Sequence, residues 1–205
     1  MRYHLDVKTT TFVNRNLKLF QFVADQVLDP ASRGLRVLEI GPGMAVRGMG
    51  RYNHFGKWRP VKRLETAIRR LPLPLGCYEN YETEEILGVF SRFSPRLTVA
   101  DISRKSLDVI RRNIENGLEE TVELDLTDNG SDALNGLQHR FDLVICLATI
   151  VRIPQDLKPR AIRNLAGFCA PGAVVITEQD MTAEGLKPIT GHARAFRKPA
   201  GSRND

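Results

Sequence analysis

Cysteine is scarce in this chain: Cys77, Cys146 and Cys169 are the three among 205 residues. An odd, widely spaced set builds neither a disulfide framework nor a paired zinc-ligand motif, and it points to a reducing compartment. No apolar run reaches the roughly 18 residues of a spanning helix. The opening MRYHLDVKTTTF lacks the apolar centre of a secretory signal. From these absences a soluble, cytoplasmic protein with no membrane span is expected. Internal repeats and low-complexity tracts are also missing.

What is present is ordinary globular material. The chain is 42% hydrophobic and 26% charged, with 16 Gly and 11 Pro, which excludes a collagenous, coiled-coil or wholly disordered polymer. Its length suits one core with one elaboration. The net charge of +6 permits attraction to phosphate but serves solubility equally well, so alone it decides nothing.

Helical spacing of apolar residues from Phe12 to Leu28 predicts a leading helix that Pro30 closes. A short apolar strand, Arg36 to Ile40, runs straight into Gly41-Pro42-Gly43, so the chain bends sharply at the strand's carboxyl end. The text from Met44 to Arg96 is irregular, with possible helices at Val61 to Leu71 and Glu82 to Phe93. Alternation then resumes: strand Leu97 to Ala100, helix Ser103 to Asn116, strand Thr121 to Leu124, strand Phe141 to Leu147, helix Gln155 to Cys169 and strand Ala173 to Thr177. Such alternation predicts an α/β, doubly wound, mostly parallel sheet covered on both faces. After Glu178 little apolar material remains, and His192 to Lys198 reads as one last edge strand.

In open parallel sheets ligands bind outside the carboxyl ends of the strands. Four such ends carry chemistry here: Glu39 through Gly43, Asp101, Asp125, and Cys146 to Thr149. Glycines at 41 and 43 let backbone approach a bulky ligand. A carboxylate, being acceptor-only, can take both hydroxyl hydrogens of a ribose. Taken singly, each acid also has a structural reading, as a helix cap or turn residue.

The segment Val37-Leu38-Glu39-Ile40-Gly41-Pro42-Gly43 resembles the first motif of the class I S-adenosylmethionine-dependent methyltransferases. Val99 to Ser103 resembles their ribose motif and Glu123 to Leu126 their adenine motif. Phe141 to Cys146 is similar to the fourth-strand motif, and Leu165 to Ile176 to the helix and strand that follow. The resemblance implies a Rossmann-like fold spanning residues 1–205 as one domain, with a helical segment at 1–33, a lid-like insert at 44–96 and a flexible tail at 199–205. It implies S-adenosyl-L-methionine as cofactor, held at Glu39, Gly41, Pro42, Gly43, Asp101, Ile102, Asp125, Leu126 and Cys146. It also implies a sixth and seventh strand, for which the text after Glu178 leaves little room. A nicotinamide-binding fold fits worse, because its third glycine would stand at Val46.

The expected activity is methyl transfer to a small molecule, an anionic one among the options. Alternatives are an RNA methyltransferase and a catalytically silent binding module. RNA enters because Arg47 to Arg70 holds eight Lys or Arg against Glu65, interleaved with Tyr52, Phe55 and Trp58. The Asp/Asn-Pro-Pro-aromatic signature of exocyclic-amine methylation is missing, since the chain reads Leu147-Ala148-Thr149-Ile150. A nucleophilic role for Cys146 is disfavoured because no basic neighbour lowers its pKa. His54, Tyr78 and Tyr81 are weak candidates for a catalytic role, His139 belongs on the surface away from the ligand, and no spacing among the histidines suggests a metal site.

Overall fold

The computed structural model describes residues 15–47 and 73–201. The chain enters through a short helix, α1 (Leu17–Phe22), which continues as a single wider π turn, Val23–Val27. Strand β1 (Arg36–Ile40) follows, then a two-residue strand β2 (Ala45–Val46) paired antiparallel with β3 (Tyr78–Glu79). Helix α2 (Tyr81–Val89) leads to β4 (Arg96–Asp101), α3 (Arg104–Asn113) to β5 (Leu118–Glu123), and α4 (Asp132–Leu137) to β6 (Phe141–Cys146). Helix α5 (Lys158–Gly167), β7 (Cys169–Thr177), β8 (Lys187–Pro188) and β9 (Ala195–Arg197) complete the order.

The main sheet runs β5-β4-β1-β6-β7-β9-β8. Its first five members are parallel, and β9 lies antiparallel between β7 and β8. The chain therefore builds outward from β1 through β4 and β5, then returns to the other side of β1 to lay down β6 and β7. That reversal opens a crevice at the carboxyl ends of β1 and β6.

Alternation along the strands sends neighbouring side chains to opposite faces. Leu38, Val144, Cys146 and Val175 join Leu134, Leu137, Ala161 and Leu165 from α4 and α5 on one side. Val37, Leu97, Val99, Leu143, Ile145 and Ile176 meet Phe20, Ile86, Phe90, Leu107 and Ile110 from α1, α2 and α3 on the other. The two cores explain why β6 reads as an unbroken apolar run: it is covered from both sides.

Several sequence expectations change here. Residues 78–93 are not lid: Ile86, Phe90 and Phe93 are fully buried, and Phe90 packs on Phe20 and Phe93 with ring centroids 6.3 and 6.4 Å away. The remaining middle of the expected insert, including Val61 to Leu71 and nearly all of the basic stretch, lies outside the described residues, as does Phe12. A sixth and a seventh strand do exist, as β8 and β9: β9 lies within the strand expected at His192 to Lys198, and β8, of two residues, is too short for composition to show. The expected edge strand is internal, and β8 with Pro188 takes the edge, where a missing N–H costs no ladder bond. Strand β5 begins at Leu118 rather than Thr121, and β7 begins at Cys169, its register jumping where Pro171-Gly172 bulges.

Deleting the Phe90 ring tests whether α2 belongs to the core. Phe90→Ala should lower the unfolding free energy by about 3–5 kcal/mol, the usual cost of emptying an aromatic core position, read from urea denaturation. A loss below about 1 kcal/mol would mean that α2 sits loosely on the sheet.

Candidate functional site

A cleft of about 1040 Å3, counting its open mouth, lies over the carboxyl ends of β1, β4, β5, β6 and β7. Gly41, Pro42 and Gly43 form one wall, Asp101, Ile102 and Ser103 the next, and Leu124, Asp125 and Leu126 a third. Leu147, Ala148 and Thr149 follow β6, Glu178 follows β7, and Asn16 and Glu82 close one end. Seven of the nine sequence-predicted binding positions thus border one cleft, and two do not.

Gly41 has φ +68° and donates its N–H to the Ala100 carbonyl at 2.8 Å. A Cβ there would stand 2.2 Å from Thr149 Oγ1, so only glycine permits this contact between the ends of β1 and β6. Thr149 Oγ1 lies 3.2 Å from the Ile40 carbonyl and 3.3 Å from that of Leu147, and can donate to either. Gly43, at φ +62°, accepts a 2.6 Å hydrogen bond at its carbonyl from the buried Asn80 amide. The bend is therefore fixed from both sides.

Glu39 does not line the cleft. It is 2% exposed beneath the bend, where its Oε2 accepts from Thr83 Oγ1 at 2.8 Å and its Oε1 has no partner among the described residues. Burial, reinforced by the negative charge of Glu82, pushes its pKa well above the ordinary glutamate range, against the opposing Thr83 bond. Cys146 also leaves the predicted set: its side chain is 1% exposed among Leu38, Val144 and Val175, and burial drives its thiol to about 12. The alternation that makes β6 a core strand turns this side chain away from the cleft.

Asp101 and Asp125 each spend one oxygen on their own loop. Asp101 Oδ1 accepts from the Ser103 N–H at 2.7 Å, and Asp125 Oδ1 from the Thr127 N–H at 2.8 Å and hydroxyl at 2.7 Å. The turn reading and the ligand reading are thus compatible, because a carboxylate offers about four acceptor sites. Burial raises the Asp101 pKa, opposed by the Ser103 N–H. Ile102 is 37% exposed, and it faces this cleft.

The catalytic candidates fare differently. Tyr78 is buried away from the cleft, its ring beneath Lys105 Nζ at 4.4 Å and its hydroxyl accepting from the same ammonium at 2.9 Å. Tyr81 is buried with its hydroxyl on Glu79, also outside the cleft lining. His54 lies outside the described residues. His139 sits between α4 and β6, at the end opposite the cleft, with Nδ1 3.4 Å from the Cys169 carbonyl. Among the described residues no three His, Cys, Asp or Glu side chains gather to hold a metal ion.

Four residues that sequence reading passed over shape the remaining end. Glu178 Oε2 accepts the Ala148 N–H at 2.9 Å, holding a non-glycine residue at φ +55°. Glu82 Oε1 accepts from Asn16 Nδ2 at 3.2 Å, and Asn16 Oδ1 accepts from Arg194 Nη1 at 3.1 Å. Burial raises Glu82 to about 7, eased by Asn16 and Arg15 and increased by Glu85 and Glu178. Glu178 stands one residue past a strand, so the strand-end logic that selected Asp101 extends to it.

Two measurements follow. Gly41→Ala should destabilise the fold by about 1–3 kcal/mol through overpacking against Thr149, and Thr149→Ala should recover part of that loss in urea denaturation. Because Glu82 and Glu39 bind protons more tightly folded than unfolded, their contribution is greatest at acid pH. It fades as pH rises from about 4.5 through about 7. The melting temperature should accordingly fall from pH 5 to pH 8, and Glu82→Gln should flatten that fall; an unchanged slope would contradict it.

No protein-family model matches the chain, and no curated protein matches it. Among solved structures, the methyltransferase domain of the citrinin polyketide synthase superposes over 82% of this chain and 36% of its own, at 14% identity and a TM-score of 0.50. An N-methyltransferase from Bradyrhizobium japonicum, in complex with S-adenosyl-L-homocysteine, matches over 90% and 84% at 14% identity with a TM-score of 0.48. A protein from Rhodobacter sphaeroides described as a zinc-dependent alcohol dehydrogenase matches over 81% and 46% at 15% identity, also at 0.48. The chain spans about half the length of the solved structures that head the comparison. The likeness at TM-score 0.50, together with the strand order, shows that the chain has the Rossmann-like fold of the class I methyltransferases.

Proposed function

We propose that this chain is an S-adenosylmethionine-dependent methyltransferase acting on a small-molecule acceptor. The observation that carries the reading is the shared cleft: Asp101 and Asp125 at successive strand ends, with Ile102, Leu124 and Leu126 between them, beside the Gly41 bend. Ribose hydroxyls need acceptors, which Asp101 supplies. An adenine ring needs flat apolar cover and an acceptor for its amino group, which Ile102, Leu126 and Asp125 supply. The exposure of Ile102, costly in an empty cleft, is explained by such a ring. Gly41, Pro42 and Gly43 bring backbone alone against the aliphatic tail, and the residue set fits the cofactor.

A dinucleotide fits less well. Its pyrophosphate calls for a helix N-terminus directly after the glycine turn, and here the turn runs into β2. When bound, the cofactor supplies a methyl group already activated by a sulfonium. The chain's own contribution is then to hold the acceptor in line and exclude water, and proximity of this kind is worth up to about 7–11 kcal/mol. The basic stretch that suggested RNA has only Arg47 among the described residues, and the reading of a small acceptor rests on the cleft alone.

Thermal melting with S-adenosylhomocysteine and with NAD separates the two cofactors. At 100 times its dissociation constant the first should add about 2.7 kcal/mol, a rise of roughly 5–10 °C for a domain of this size, while NAD should add none. Asp101→Asn keeps an acceptor for the Ser103 N–H but removes the charge, and should weaken S-adenosylhomocysteine by roughly 10- to 150-fold, as expected for a charge-assisted hydrogen bond. A rise with NAD alone would overturn the assignment.

A further inference from the structure

Resting on that reading, we infer that the end of the cleft closed by Asn16 and Glu82 is a subsite for an α-amino-acid head group, with Glu82 taking the ammonium and Arg15 the carboxylate. Four charged side chains meet there. Glu82, Glu178 and Arg15 border the cleft, and Arg194 reaches them through Asn16. Two acids stand against two guanidinium groups, so this end has no net charge to draw in a lone cation or a lone anion. Arg152, the other cation of the lining, acts on Asp101 at the nucleoside end. Glu85 adds negative charge at Glu82 but does not border the cleft, and burial holds Glu39 towards its neutral form.

Most of these groups are committed to the chain itself. Glu178 Oε2 takes the Ala148 N–H, and its Oε1 lies 3.9 Å from Arg194 Nη1. That same Nη1 donates to Asn16 Oδ1, while Asn16 Nδ2 donates to Glu82 Oε1. What is left to a ligand is the guanidinium of Arg15 and the second oxygen of Glu82, which has no hydrogen bond among the described residues. Arg15 is exposed, but Asn16 next to it is 4% exposed and bonded on both sides, so the chain sets the guanidinium at the rim. The two charges sense each other, yet no ion pair joins them among the described residues.

An acceptor and a cation held near each other, and not spent on each other, complement a ligand that carries an ammonium and a carboxylate on one carbon. A simple amine meets Arg15 as well as Glu82, and a simple carboxylate meets Glu82 as well as Arg15. A zwitterion satisfies both and leaves the balance of charge unchanged. This chemistry has two sources. The cofactor ends in an α-amino acid, and a nucleoside on Asp101 and Asp125, with its aliphatic tail along Gly41–Gly43, aims that head group at Glu82. A free amino acid bound as methyl acceptor brings the same group.

Calorimetric titration of the full chain at pH 8 separates the two. One series compares S-adenosylhomocysteine with its deaminated and its decarboxylated analogues and with 5′-methylthioadenosine, which has neither charge. The other adds the common amino acids to the chain saturated with S-adenosylhomocysteine, each beside the amine and the carboxylic acid that lack one of its charges. In one series the zwitterion should bind roughly 10- to 150-fold tighter than either singly charged analogue, as charge-assisted hydrogen bonds require. Glu82→Gln, which keeps an acceptor for Asn16, should erase the advantage over the deaminated ligand only, and Arg15→Gln the advantage over the decarboxylated ligand only. This crossed pattern in the first series assigns the subsite to the cofactor, and in the second to an amino-acid acceptor. Methylthioadenosine binding as tightly as S-adenosylhomocysteine with no amino acid preferred, or variants that weaken all ligands alike, would overturn the inference while leaving the cofactor assignment standing. Failure of S-adenosylhomocysteine and methylthioadenosine alike to bind would instead remove the assignment beneath it.

Discussion

The contact between Gly41 and Thr149 decides the shape of this molecule's working end. Strand β1 turns at φ +68° and passes so close to the Thr149 hydroxyl that a single extra carbon would lie 2.2 Å from it. Because β1 and β6 are neighbours at the point where the sheet reverses direction, that contact closes the floor of the crevice between them. Everything on the rim is measured from it. Asn80 holds the carbonyl of Gly43, Thr83 holds the carboxyl beneath, and both come from the start of α2. The helix that packs Ile86 and Phe90 into the core is the same one that sets the bend.

Burial sorts the acids in and beneath the cleft. Glu39 sits under the bend with one unsatisfied oxygen, an arrangement that strongly favours its neutral form. A neutral carboxylic acid there can bond Thr83 and still offer a proton, without placing a charge beneath the glycine wall. Asp101 and Asp125 are held by short loops of their own, so their open lone pairs point where the chain has already fixed them. Glu82 is neither sealed nor free.

Much of this was legible in the sequence because it depends on local pattern. The strand RVLEI running into Gly-Pro-Gly, and acids standing at the ends of two apolar runs, are short-range signals with direct structural meaning. What stayed hidden depends on distance along the chain. Thr83 reaches Glu39 across 44 positions and Asn80 reaches Gly43 across 37, and no spacing rule links them. The helix at Tyr81–Val89 reads as part of an insert because irregular text precedes it, although its buried Ile86 and the Phe90 that caps it carry an apolar face that the core consumes. Strand β8 escapes for another reason: two residues are too few to show alternation, and only its pairing with β9, which lies within the strand read at His192 to Lys198, makes it a strand.

That small hairpin has consequences out of proportion to its size. The Arg194 carbonyl accepts the Thr177 N–H at 3.0 Å, joining the approach to β9 to the end of β7. From there the Arg194 side chain spans Asn16 and Glu178, so the last strand, the first helix and the cleft share one network. Removing the hairpin would therefore free Glu178 as well as expose the β7 edge, and the Ala148 N–H would lose the acceptor that holds its left-handed backbone. The short strands that close the sheet at one side thus keep the geometry of the cleft at its centre. A fold this small has few residues available for structure alone.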